Sequence, residues 1–266
     1  MLVWGTMIKR LLVILSVLPL YLNASPVSKP DVIRFGVNTP GSAPYLYYDE
    51  NTQSYMGVVV DFFDFVATTN AITVSYLDSN RARSEQLLQS GVIDIFLSSP
   101  KWLERPDAVL NTTALMQHDS YMYSPNAFLG PFIPSDAKAS SICTRYGFVY
   151  PVLQPFFDKR EHGLIRVNSS SQETMAIMLT KGRCDFAIMS EQNALSVMFQ
   201  EKMCAATFHQ SPNVISSVPL AFIVRSELTQ LQVQINEALV EFVNSGARDN
   251  AMKRHSGGKY FPKQKC

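Results

Sequence analysis

Apolar and polar positions along the chain fall into two alternating periods. Val32-Ile33-Arg34-Phe35-Gly36-Val37 is a short strand-like run, and a turn-rich segment from Asn38 to Ala43 follows it, broken by Pro40 and Gly41. Val59, Phe62, Phe63 and Val66 then recur at helical spacing, which predicts an amphipathic helix. Ile72-Thr73-Val74-Ser75-Tyr76 returns to β-branched and aromatic residues, and a helix over 84–90 leads through Gly91 into a strand over Ile93–Leu97. Strands alternating with helices predict an α/β fold whose parallel-type sheet is covered on both faces.

One stretch occurs twice. Leu88-x-x-Gly91-x-x-Asp94-Ile95-x-x-x-Ser99 is echoed by Leu179-x-x-Gly182-x-x-Asp185-Phe186-x-x-x-Ser190. Each copy reads as a helix end, a glycine in the left-handed position that stops it, and an apolar strand ending in serine. Two copies predict two similar lobes. Because ligands in open α/β sheets sit at the carboxyl ends of strands, both serines are expected to face a shared cleft. The extended segments 121–124 and 218–223 bracket the second copy as two crossings. Lobe one is therefore expected over 31–120 and 224–250, and lobe two over 121–223 with flanking hinge strands. A helix over 228–243, with Leu228, Leu231, Ile235, Leu239 and Phe242 on one face, is expected to pack on lobe one. The basic tail after Gly246 reads as loosely held.

Composition changes this picture in a few ways. Apolar residues at 47% and charged residues at 17% support a packed core rather than disorder. With 23 bases against 22 acids, the chain offers no electrostatic case for nucleic acid or an anionic membrane. Lys9 and Arg10 precede the apolar run Leu11–Leu22, which is shorter than the ~20 residues that cross a bilayer, and Leu22-Asn23-Ala24 suits cleavage. Residues 1–24 therefore read as a signal peptide, with Met1 or Met7 as the start, and a soluble exported chain is expected. Export permits disulfides among Cys143, Cys184, Cys204 and Cys266. Cys184–Cys204 is slightly preferred for its short separation, with free buried thiols as the alternative, and no CxxC spacing suggests zinc.

Several stretches together resemble the periplasmic solute-binding proteins of family 3, the amino-acid-binding components of ABC importers. Ala43-Pro44-Tyr45 looks like a first-lobe cleft loop, and Gly57-Val58-Val59-Val60-Asp61-Phe62 like the start of a family helix. Leu88-x-x-Gly91-x-x-Asp94 followed by Glu104-Arg105 resembles the family core. Leu228-x-x-x-Gln232-x-x-Ile235-Asn236-x-Ala238-Leu239, closing at Ser245-Gly246, resembles its last helix. The resemblance covers about residues 31–246 and implies the two-lobed type II periplasmic-binding (Venus-flytrap) fold with two hinge strands. It further implies a periplasmic location, a small-molecule ligand trapped by hinge closure, an inner-membrane ABC permease as partner, and a monomer without cofactor.

By the same resemblance Arg105 matches the arginine that grips a ligand carboxylate, a task suited to a guanidinium fork; a solvated surface arginine is the alternative. Ser98 and Ser99 end the strand before it and either bond the same anion or cap the strand end. Arg81 stands where amino-acid binders often carry a stacking aromatic, which points to a more acidic ligand, or else opens a solvated helix. Tyr45, Tyr47 and Trp102 are candidate apolar walls or core residues. In lobe two, Arg145-Tyr146-Gly147-Phe148-Val149-Tyr150 reads as a strand-to-helix turn whose free amides suit an anion, with Tyr150 lining the cleft or packing. Ser170-x-x-Glu173 reads as a capping box. Ser190 replaces the aspartate that commonly holds a ligand ammonium, with Glu191 next to it as the alternative acceptor; a carboxylate or other polar solute thereby stands beside an amino acid as ligand.

His118, His162, His209 and His255 show no paired-ligand spacing, and no nucleophile elbow, dinucleotide fingerprint or P-loop occurs. The chain is thus expected not to be an enzyme. A dehydratase-like site on the same fold, and a clamp that reports to a membrane receptor rather than a transporter, are the alternatives. Asn111-Thr112-Thr113 and Asn168-Ser169-Ser170 match glycosylation acceptors, which a bacterial origin makes coincidental.

Overall fold

The computed structural model describes residues 30–39, 41–69, 72–159, 163–198, 203 and 205–256. The signal segment, Cys204, Cys266 and His162 lie outside them. The chain opens with β1 (Val32–Asn38), a small hairpin sheet of β2 (Gly41–Ser42), β3 (Leu46–Asp49) and β4 (Ser54–Met56), and α1 (Val58–Thr69). β5 (Thr73–Ser79), α2 (Arg81–Gln89) and β6 (Ile95–Ser98) follow, then a short 3-10 turn at Pro100–Trp102. The long strand β7 (Val109–Ser124) leads into β8 (Ser141–Arg145), α3 (Gln154–Phe157), β9 (Ile165–Ser169), α4 (Gln172–Thr180), β10 (Phe186–Ser190) and α5 (Glu191–Met198). β11 (His209–Gln210), β12 (Ser216–Arg225), α6 (Thr229–Asn244) and α7 (Ala247–Ser256) complete the chain.

The main sheet runs in the order β5-β1-β6-β12-β7-β10-β8-β9, with β11 added to β7. Its two flanks are parallel: β5, β1 and β6 on one side, β10, β8 and β9 on the other. The antiparallel pair β7 and β12 joins them. β12 also pairs with β6 through Ala221↔Ser98, and β7 with β10 through Ser190↔Ser120, so each strand of the pair serves a different flank. These two strands are the physical link between the lobes.

Lobe one packs α1 and α6 against one face of its sheet. Val59, Phe62, Phe63 and Val66 are all buried, as their spacing requires, and Phe62 stacks on Phe222 at 5.1 Å. Leu231, Ile235, Leu239 and Phe242 of α6 enter the same core. Lobe two has separate cores around Cys143, Met175 and Met189 and around Met122, Ile142 and Ile188.

The structure corrects several local expectations. The tail after Gly246 is helical: α7 buries Ala251 and His255, and Arg254 and His255 bond Asp61 of α1 at 2.6 and 3.0 Å. Cys184 pairs with Cys143, not Cys204. Cys143 lies on β8 and Cys184 just before its parallel neighbour β10, which brings their Cα atoms to 5.7 Å. No helix begins beside Arg145, because the chain turns from Tyr146 to Leu153 before the four-residue α3. The cap of α4 is Ser171, whose Oγ accepts from the Thr174 amide at 3.0 Å, one residue beyond the expected Ser170.

Candidate functional site

The strand tips of the two flanks converge on one cavity. Val37 and Asn38 end β1, Leu97 lies on β6, Arg145 ends β8, and Ile188, Met189 and Ser190 end β10; all line a space of about 110 Å³. The carboxyl-end rule for open α/β sheets places a ligand at such a point. His118 and Ser120 of β7 and Ser216 and Leu220 of β12 form the floor, and Tyr45 enters from the loop between β2 and β3. The lobes touch over this space. Asn193 of α5 donates from Nδ2 to the Ala43 carbonyl at 2.8 Å, and Trp102 packs edge-on against Phe148 at 5.6 Å.

Arg145 is the charged group on this wall. The residue is only 7% exposed, and its Nε is buried without a partner. Its nearest neighbour of note is the Phe148 ring, at 5.5 Å from the guanidinium carbon. Burial pushes its pKa down, with only Tyr150 opposing. An arginine nonetheless stays charged at neutral pH. Among the described residues no carboxylate pairs with it. A buried cation without a counter-ion is costly unless something supplies one.

Other polar groups of the cavity are neutral. His118 accepts from or donates to the Tyr45 hydroxyl at 3.1 Å, and burial pushes its pKa down to about 4, against the nearby Asp119. The Tyr45 hydroxyl is pushed up to about 12 by burial, with Ser190 pulling the other way. Tyr150, also pushed up to about 12 by burial, accepts from the Arg145 amide at 3.0 Å and so fixes the turn that carries this arginine. The Ser190 hydroxyl donates to Asn193 Oδ1 at 2.9 Å and accepts from the Asn193 amide at 3.3 Å, a strand-end cap that also orients the side chain reaching Ala43.

A second, more open space of about 610 Å³ shares Asn38 and Arg145 with the first and is lined further by Arg81, Asn80 and Asn168–Ser170. Arg81 differs from Arg145 in being fully engaged. Its guanidinium donates to Ser98 Oγ and to the Trp102 carbonyl, lies 4.0 Å from Glu85, and sits 5.8 Å from both the Trp102 and the Phe148 rings.

The structure therefore divides the residues that the sequence suggests. Tyr45, Trp102, Tyr150 and Ser190 line the main cavity. Arg81 and Ser98 bond each other beside it, and Ser99, fully buried, caps the 3-10 turn by accepting from the Lys101 amide at 3.3 Å. Arg105 stands apart: it is exposed, lines neither cavity, and donates to Gln89 at the end of α2. The prolines at 100 and 106 start two successive 3-10 turns that carry it away from the cleft. His118 and Asn193 line the cavity without having been singled out as site residues, and Arg145 and Phe148 lie in the 145–150 turn, which the sequence marks for its backbone amides rather than for their side chains. The available signal for Arg145 was its place at a strand end of the second copy's sheet; the signal for His118 was only its alternation with Ser120 on one face of a hinge strand.

Two flanks joined by a crossing strand pair, with a cavity where their tips meet, define a clamp-type binding protein. Residues 33–258 match the bacterial extracellular solute-binding proteins, family 3, and the chain belongs to that family. Its fold is similar to that of Tv2483 bound to L-arginine, at a TM-score of 0.69 and 16% identity over 88% of this chain and 91% of that one. It is similar to the substrate binding protein of an amino acid ABC transporter, at 0.68 and 17% over 86% and 99%. A histidine kinase sensor domain with similarity to periplasmic binding proteins matches at 0.71 and 15% over 83% and 93%. At such identities the likeness is one of fold. No curated protein matches the chain in sequence.

Proposed function

We propose that this solute-binding protein captures a small polar, carboxylate-bearing molecule, an amino acid or a related acid, by closing its lobes in the periplasm, and hands it to an inner-membrane ABC importer. The supporting observation is Arg145. An arginine that is 7% exposed, whose buried Nε has no partner and which no carboxylate among the described residues neutralises, stands in the wall of the inter-lobe cavity; its fork suits a carboxylate, which would bring the missing counter-ion. Tyr45, Trp102, Tyr150 and Ser190 shape the space around it. Arg105, which the family resemblance favours, has no part in this reading. The domain limits at 120 and 224 and a monomeric state complete it. Capture needs no covalent step, in keeping with a family of binding proteins. A membrane receptor is the alternative partner, since a histidine kinase sensor domain has the same kind of fold. Loss of solute uptake on deletion of the gene distinguishes the importer.

A thermal-shift screen of small carboxylates tests the proposal, because a ligand that binds only the folded state raises the melting temperature. Arg145→Ala is expected to abolish every carboxylate-dependent shift while leaving the ligand-free melting temperature unchanged or raised, since it removes an unpaired buried charge. Arg105→Ala is expected to preserve the shift. Retention of the shift in Arg145→Ala, with loss in Arg105→Ala, would overturn the assignment.

A further inference from the structure

The charges around the cleft are one-sided. Among the described residues lining the two connected spaces there are two arginines and no aspartate or glutamate. Two acids lie near enough for their charges to raise the Tyr45 pKa, yet neither lines either space. Asp119 follows His118 on β7, and since His118 and Ser120 both face the cavity, strand alternation turns Asp119 to the opposite side. Glu191 is exposed at the first position of α5. His118 is uncharged at neutral pH and adds no charge of either sign.

We infer that the cleft takes a carboxylate without an ammonium: a des-amino or 2-oxo acid with an apolar or aromatic body, rather than a free amino acid. The inference rests on the carboxylate reading above and narrows its ligand. Closing the lobes strips water from every charge on the ligand. A carboxylate regains its partner in Arg145, but an ammonium meets only neutral acceptors, and a desolvated cation held that way is strongly disfavoured. It would also share the space with the field of Arg145, which no carboxylate among the described residues neutralises. The remaining wall is apolar or aromatic, with Trp102, Phe148, Leu97, Ile188, Met189 and Leu220 bordering the space.

Matched sets of ligands decide the matter by calorimetric titration of the purified protein: L-leucine, 4-methylpentanoate and 3-methylbutylamine, then L-phenylalanine, 3-phenylpropanoate and 2-phenylethylamine. The expected result is that in at least one set the des-amino acid binds tenfold or more tightly than the amino acid, that the amine does not bind, and that Arg145→Ala abolishes binding of the acid. An amino acid that binds as tightly as its des-amino partner, or more tightly, overturns the inference while leaving the carboxylate reading in place. Binding of the amines alone, or of no compound in either set, overturns both.

Discussion

In lobe one the Asp94 carboxylate accepts from the Arg34 amide at 3.0 Å, and the Asp94 amide donates to the Arg34 carbonyl at 2.8 Å. In lobe two Asp185 does the same with Ser141, at 2.7 and 3.0 Å. The preceding glycines match as well. Gly91 and Gly182 have φ of +72° and +63°, and each ends its helix with paired bonds back to the last turn, Gly91 to Leu88 and Gly182 to Leu179. The repeated sequence thus encodes one device twice: a stopped helix, then an acid that ties the incoming strand to the start of its parallel neighbour, at the third residue of β1 and the first of β8. The lobes differ in what surrounds that acid. Asp94 is fully buried and also bonds the guanidinium groups of Arg34 at 2.6 Å and Arg225 at 3.0 Å, whereas Asp185 is exposed and has Ser141 alone. Arg225 ends hinge strand β12, so in lobe one the device also anchors the returning chain.

The largest break in the symmetry is therefore expected at the aspartates. Burial would raise the Asp94 pKa, but the hydrogen bonds of Arg34 and the charges of Arg34 and Arg225 outweigh it and hold the carboxyl below its usual range. Asp94→Ala strands two arginines and is expected to cost about 3 kcal/mol, the low end for breaking a buried pair because both cations keep one face in water. Asp185→Ala loses exposed hydrogen bonds and should cost about 1 kcal/mol. Urea denaturation of the two variants measures the gap; equal losses would mean that the arginines add nothing.

Much of the scaffold was legible because its signals are local. Spacing alone identified the buried face of α1, and the echo identified the helix stops and the strands after them. The site was less legible because it depends on how distant segments meet. Arg105 follows the family pattern, but the prolines on either side of it turn the chain outward; Arg145 ends β8 in a turn that the sequence marks for its amides, and its side chain takes its place in the site where residues of both lobes line one space. α7 was invisible for another reason. Ala-Arg-Asp-Asn-Ala-Met-Lys-Arg-His-Ser is nearly all polar, and its two inward positions, Ala251 and His255, form one short stripe that depends on Asp61 and Tyr47 for its partners. The disulfide could not be chosen from spacing, since what brings Cys143 to Cys184 is the adjacency of β8 and β10 rather than closeness in sequence.

That disulfide is the second asymmetry, for among the described residues lobe one has none. It closes a loop with a sequence separation of 41 residues through the core of lobe two. Loop-closure entropy sets an upper value of about 4 kcal/mol, and residual structure in the unfolded chain brings the expected contribution to about 3 kcal/mol. Cys143→Ala with Cys184→Ala is expected to lower stability by that order and to increase hydrogen exchange in β8, β9 and β10 while leaving β1, β5 and β6 protected. A uniform rise in exchange through both lobes would show instead that the lobes unfold as one unit.

The smallest difference is expected at the paired glycines, and it is the most direct test of the echo. Both sit at positive φ, where a Cβ costs about 1 kcal/mol, so Gly91→Ala and Gly182→Ala should each lose at least that. A Cβ on Gly182 would meet nothing within 4 Å, but one on Gly91 would come within 3.2 Å of Arg225 Nη1. The same guanidinium bonds Asp94 through Nη2. Gly91→Ala therefore presses on the ion network as well as on its own backbone, and its loss should exceed that of Gly182→Ala by roughly 0.5–1 kcal/mol, the net worth of a weakened hydrogen bond. Measured in an Asp94→Ala background, where Arg225 has already been released, the excess should disappear. An excess that survives that background would have to arise within the helix stop itself, and the two copies would then differ in their local backbone rather than in their surroundings.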